Sequence, residues 1–268
     1  MGWLVVALAS CRQAQRTAPP AATPGALLTA PDGAPLPSGP LGLSILRGHA
    51  LMVATRDSLP GHVGGNLRCV SCHLRDGRDS AALPLTGVYA RFPQYRARAG
   101  QVEQIEDRVN DCFVRSLNGT PLVNDDPAMR DIVAYLAFLS HGVPVASPIA
   151  RTAASAAVVG DTTKGLAVFQ SECARCHGSN GAGQAGYPAL WGTSSFNIGA
   201  GMARPRTLAV FVRANMPYDD PGVLDETAAR DVAAYITSRS RPDLPGKEND
   251  WPNGGAPPDL RYRTNHTP

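Results

Sequence analysis

Apolar residues recur at three- and four-residue spacing in several separate stretches of this chain, and each stretch predicts an amphipathic helix. Two of them lie around Leu43 to Thr55 and Thr163 to Ser171. Two more contain nearly the same sequence, Asp131-Ile132-Val133-Ala134-Tyr135-Leu136 and Asp231-Val232-Ala233-Ala234-Tyr235-Ile236. Another runs from Gln101 to Leu117 without Gly or Pro, with Ile105, Val109, Phe113 and Leu117 at every fourth position, and stops at Asn118-Gly119. Between the helices the chain is irregular. Its 24 prolines and 6% aromatic content argue against a large β fold and for short helices joined by long loops.

The helices belong to a repeat. Cys69-Val70-Ser71-Cys72-His73 returns as Cys173-Ala174-Arg175-Cys176-His177, 104 positions on, and the Asp131 helix returns 100 positions on. Each copy opens with a helix, carries a C-x-x-C-H motif and closes with the duplicated helix. That motif attaches c-type haem: two thiols bond the porphyrin and the adjacent imidazole ligates iron. Chance supplies about 0.003 such motifs in a chain of this composition, so two are a strong signal over zinc or disulfide C-x-x-C segments. The expected architecture is all-α, two tandem class I cytochrome c-like domains with long irregular loops, holding two covalently attached haem c groups. Low-periodicity sequence divides the chain into a leader (1–11), a disordered tether (12–40), an N-terminal domain (41–142), a linker (143–160), a C-terminal domain (161–241) and an extension (242–268).

The repeat also indicates the second axial ligands. Met216 follows Cys173 by 43 positions and precedes Pro217; Cys112 follows Cys69 by the same 43. His73 and Cys112 would then hold one iron, His177 and Met216 the other. Met202 competes with Met216, and Cys112 read alone could be a small buried hydrophobe. A thiolate ligand lowers a haem potential and a Met ligand raises it, so the two haems are expected to differ in task. Arg108 and Ser116 lie four residues either side of Cys112, along one helix face that drifts by about 40° per step, and Arg115 lies at its edge. Guanidinium groups beside a sulfur suit a small oxyanion. The same stretch also holds Glu103, Glu106, Asp107 and Asp111, so composition alone fits a solvated face equally well.

Net charge is only +3 and 23 of the 25 basic residues are Arg, which gives no ground for nucleic acid binding. Leu4 to Ala9 form an apolar run too short to span a bilayer and read as part of an export signal. Leu8-Ala9-Ser10-Cys11 resembles a lipobox, which makes Cys11 a candidate lipid anchor and the only membrane link. The expected location is the periplasm.

The sequence resembles the dihaem thiosulfate dehydrogenases. The resemblance rests on Asn66 to Leu74, on Phe92 to Gly100, above all on Arg108-Val109-Asn110-Asp111-Cys112-Phe113-Val114-Arg115-Ser116-Leu117-Asn118-Gly119, and on Ala189 to Gly192, Ser195 to Asn197, Gly199 to Met202 and Pro245 to Pro252. It implies that Cys112 is both a haem ligand and the active-site sulfur, with Arg98, Arg108 and Ser116 holding substrate. It further implies oxidation of thiosulfate to tetrathionate, with electrons passed to a soluble cytochrome or similar acceptor. In some members a Lys precedes the ligand Met; here that position is Asn215. Tetrathionate reduction at the same site, a substrate-free electron carrier and a sulfur-carrier partner role remain as alternatives.

Overall fold

The computed structural model describes residues 28–145 and 160–266. Its principal elements are α1 (Gly39–Val53), the hairpin strands β1 (Gln94–Arg96) and β2 (Gln101–Glu103), α2 (Ile105–Asp111), α3 (Pro127–Phe138), α4 (Thr162–Val168), α5 (Pro205–Asn215) and α6 (Glu226–Ser238). In the first unit α1 crosses α3, and in the second α4 crosses α6. Each crossing needs a glycine. A Cβ on Gly48 would lie 1.9 Å from the Asp131 carbonyl oxygen, and one on Gly165 would lie 2.0 Å from that of Asp231. The two backbones touch only because nothing projects between them. The duplicated Asp-x-x-x-Tyr sequence is therefore one half of a duplicated helix crossing.

Local signals start these helices where the sequence places them. Asp126, with Pro127 next to it, accepts the Ala128 N–H at 2.7 Å; Asp225 accepts that of Ala228 at 2.8 Å; Asp161 accepts those of Thr163 and Lys164. Tyr135, Phe138 and Leu139 of the first unit and Phe169, Val232 and Ile236 of the second are buried. Phe169 packs its ring against Trp191 and Tyr235, with centroids 4.8 and 5.6 Å away. Among the described residues no helix is long and apolar enough to cross a membrane.

The structure corrects three expectations. The helix expected from Gln101 begins only at Ile105, because Gln101–Glu103 pair antiparallel with Gln94–Arg96, Gln94 facing Glu103. From Cys112 to Ser116 its winding widens into a π turn, in which the Leu117 N–H donates to the Cys112 carbonyl at 2.9 Å. The tether expected over 12–40 does not reach residue 40: Ala30 is buried, Thr29 bridges Pro35, and Asp32 Oδ2 lies 2.7 Å from His141 Nδ1. Cys11 and the rest of the expected leader lie outside the described residues.

The extension after Arg241 packs onto the first unit through Asp250 and Trp251, both buried. The units also meet directly. The Asn66 N–H donates to Ser194 O and its Oδ1 accepts from the Ala189 N–H, while Asn215 Nδ2 donates to Ala81 O. Asn197 is buried against the π turn: its Nδ2 donates to Val114 O at 2.8 Å and its backbone N–H to Arg115 O at 3.1 Å.

Candidate active site

Both C-x-x-C-H motifs end in a histidine held the same way. His73 Nδ1 lies 2.5 Å from Leu83 O and His177 Nδ1 2.8 Å from Pro188 O. A carbonyl only accepts, so Nδ1 carries the proton and Nε2 keeps its lone pair free for a metal. Cys69, Cys72, Cys173 and Cys176 are free thiols. Desolvation pushes Cys69 up to about 11 and Cys72 and Cys173 up to about 12, so these half-buried sulfurs stay protonated. Two unpaired thiols and an imidazole with a free, oriented nitrogen suit covalently attached haem c at each motif.

Cys112 is placed over the first of these motifs. Its sulfur interacts electrostatically with Cys69, Cys72 and His73. Arg108, one turn earlier, donates from Nη1 to the Cys112 sulfur at 3.1 Å. Burial alone would raise the thiol; the Arg108 charge, chief among the opposing causes, brings the value down to about 7. The anion returns the effect, since the Cys112 charge is the main cause holding Arg108 firmly protonated. A half-buried, stabilised thiolate with a guanidinium at its side is the central feature of the site.

Three further arginines surround this pair, and they are not equivalent. Arg115 is neutralised by a bidentate bridge to Asp250 at 2.7 and 2.8 Å and by Asp111 at 3.2 Å. Arg96 faces Glu103 only loosely, at 3.7 Å. Arg98 sits in the turn of the hairpin, donates from Nη1 to the Gly199 carbonyl at 2.9 Å, and stacks over Trp251 at 4.7 Å. Burial, then the charge of Arg115, push Arg98 down to about 10. A half-buried guanidinium whose direct partners are a carbonyl and a ring carries charge that no bonded carboxylate neutralises, and an anion nearby would favour it.

The structure brings the sequence-predicted residues together unevenly. Arg108 meets Cys112 directly. Arg98 joins the same cluster through Arg115 and Asp111. Ser116 closes the π turn and is half-buried. Met216 follows α5 and packs on the core, while Met202 is buried in its own helical turn. Spacing gave no hint of Gly199, Asp250 or Trp251; only the family resemblance of the Gly199 to Met202 and Pro245 to Pro252 segments pointed there.

Comparison with known proteins identifies the family of the chain. A family model described as the SoxA/TsdA cytochrome c domain matches residues 63–145, and one described as cytochrome C oxidase, cbb3-type, subunit III matches residues 160–236. A thiosulfate dehydrogenase of Allochromatium vinosum is 41% identical over 232 residues, 82% of this chain and 86% of its own. One of Psychrobacter arcticus is 38% identical over 240 residues, 86% of this chain and 73% of its own. The chain belongs to the thiosulfate dehydrogenase family. Among solved structures, the thiosulfate dehydrogenase TsdBA from Marichromatium purpuratum superposes with a TM-score of 0.76 at 31% identity. That match covers 88% of this chain, which spans 55% of the length of the solved one. Within the thiosulfate dehydrogenase family, the Cys112 site lies in the domain that the SoxA/TsdA model matches, and the second C-x-x-C-H motif in the domain that the cbb3-type model matches.

Proposed function

We propose that the chain oxidises two thiosulfate ions to tetrathionate at Cys112 and passes the electrons through its second domain to a soluble cytochrome or similar acceptor. The observation that carries this reading is the Cys112 sulfur, 3.1 Å from the half-buried Arg108 guanidinium and beside His73 of the first haem motif. His73 and Cys112 would hold one haem iron, and His177 and Met216 a second. When bound, the haems supply a one-electron relay that carries two electrons outward in sequence.

The chain's own residues do the rest. Arg108 keeps Cys112 as the thiolate, and Arg98, Arg108 and Ser116 hold the oxygens of thiosulfate so that its terminal sulfur meets the Cys112 sulfur. Joining the two sulfurs and removing two electrons gives a cysteine S-thiosulfonate. A second thiosulfate attacks the outer sulfur of that adduct as a thiolate attacks a disulfide; tetrathionate leaves and the Cys112 thiolate returns. Guanidinium charge offsets repulsion between two dianions. The proposed location is the periplasm, with Cys11 as lipid anchor.

The test is ferricyanide reduction by thiosulfate, with tetrathionate measured as product, for the dihaem protein and for Cys112→Ala. Turnover that is lost in the variant supports the reading. A fully haem-loaded wild type that yields no tetrathionate would sink it in favour of an electron carrier or a reductive enzyme. Loss of the Met-to-iron charge-transfer band in Met216→Ala but not in Met202→Ala would confirm the second ligand.

A further inference from the structure

The extension from Asp243 onward ends the second domain, yet its most buried residues lie on the first. Trp251 is only 6% exposed. Its backbone N–H donates to the Arg98 carbonyl at 2.8 Å, and its ring lies under the Arg98 guanidinium at 4.7 Å. One residue therefore holds both ends of Arg98. Trp251 does so at φ +55°, a left-handed conformation that a bulky residue rarely adopts, which marks a position where other contacts offset backbone strain. Its neighbours fix the strap on either side. A Cβ on Gly100 would lie 2.4 Å from Pro252 Cγ, so the strap presses on the hairpin turn that carries Arg98, and Asn253 Nδ2 donates to the Tyr95 hydroxyl at 3.1 Å. On the other side Asp250 takes both Arg115 Nη atoms and accepts from the Tyr262 hydroxyl.

We propose that the strap Asp250–Pro252 completes the substrate site of the other domain: Trp251 is a positioning residue that orients the Arg98 guanidinium toward the thiosulfate oxygens, while Asp250 keeps Arg115 turned away from them. This rests on the reading of Arg98 as a substrate-binding group. A cation stacked on a ring keeps its N–H edges free for an anion, whereas a carboxylate partner would consume them. The strap thus leaves one arginine available and occupies the other.

The test uses the dihaem protein carrying Cys112→Ala, which binds thiosulfate without turnover, and reads thiosulfate affinity by calorimetry and folding by thermal unfolding. Trp251→Leu is expected to weaken binding about tenfold, as is Arg98→Gln, and the two together little more than either alone. Trp251→Phe, which keeps an aromatic face, is expected to lose only about two- to threefold. With Cys112 intact, Trp251→Leu raises KM for thiosulfate by about the same tenfold factor. If Arg98→Gln weakens binding and Trp251→Leu does not, or if their effects add in full, the role of the strap is overturned while Arg98 stands. An Arg98→Gln protein of unchanged affinity overturns the assignment of Arg98 and this inference with it; a Cys112→Ala protein that binds no thiosulfate overturns both together with the proposed function. Should Trp251→Leu not fold, Trp251→Phe carries the same comparison, and an unchanged affinity, or a loss that persists in the Arg98→Gln background, overturns the inference.

Discussion

Cys112 and Arg108 are one helical turn apart, and that closeness along the chain makes their partnership legible in the sequence. Their contact, 3.1 Å between Nη1 and sulfur, is a charge-assisted bond in a half-buried site. Replacing Arg108 with Gln removes the charge beside the sulfur and, in the proposed reaction, one donor for the substrate oxyanion. The expected result is a fall in kcat/KM for thiosulfate of about a hundredfold, with the haem absorption spectrum retained. Arg108→Lys should recover only part, because an ammonium lacks the planar fork. An Arg108→Gln enzyme within a factor of about two of wild type would remove Arg108 from the site. Arg98 was less legible, since its surroundings are assembled from Gly199 and Trp251, far along the chain. No local spacing encodes a contact of that kind; the sequence showed the arginine but not what aims it.

At the scale of elements, periodicity located the helices and misjudged their ends. The four-residue apolar spacing of Ile105, Val109, Phe113 and Leu117 is longer than the α-helical period, and a straight α-helix would carry it steadily off one face. The π turn at Cys112–Ser116 takes up the difference: Ile105, Phe113 and Leu117 all remain buried. The start of that helix was misplaced because pairing with β1 overrides the intrinsic preference of Gln101–Glu103. The two helix crossings permit sharper statements. Gly48→Ala or Gly165→Ala would force a Cβ onto a backbone oxygen, and each is expected to destabilise its own domain by about 1–3 kcal/mol in denaturant unfolding. The first crossing also carries a charge pair that, among the described residues, the second lacks: Asp131 accepts from Arg47 Nε at 2.6 Å, Arg47 Nη2 at 2.9 Å and Ser44 Oγ at 2.5 Å. Burial would raise the Asp131 carboxyl, but these bonds outweigh it and set the pKa below its ordinary value of 3.8. The folded state therefore binds a proton less readily than the unfolded one. The pair's contribution is complete above the ordinary value and is lost as pH falls through the depressed one. Between pH 5 and the acid limit, Asp131→Asn should flatten the decline in stability measured by urea unfolding; an unchanged acid slope would show that the pair carries no pH dependence.

For the whole molecule, what matters is that the site belongs to both domains. The repeat identified two similar units and the motif in each, but nothing in an irregular Pro- and Gly-rich tail indicates where it folds back, because such sequence carries no period to read. Nor could the sequence show that a helix end in one domain is finished by the other. The carbonyls of Val114 and Arg115 lie at the end of the π turn, beyond the reach of ordinary helix bonding, and Asn197 supplies a donor to each. Its amide also reaches Asn118 Oδ1 at 3.2 Å. Asn197 is 1% exposed, so water does not replace it easily. Asn197→Ala keeps the backbone donor to Arg115 and removes the side-chain donor to Val114 and Asn118, leaving buried acceptors unsatisfied at a cost of about 1–3 kcal/mol. Because the lost bonds span the interface, this cost falls on the coupling between domains. Scanning calorimetry of the dihaem protein should resolve two transitions in the variant where wild type shows one, with the first domain melting earlier. The same loosening frees the Cys112 turn, so KM for thiosulfate should rise as well. A variant that melts in one unshifted transition would mean that the Asn66 contacts and the Asp250–Arg115 bridge hold the domains together without Asn197.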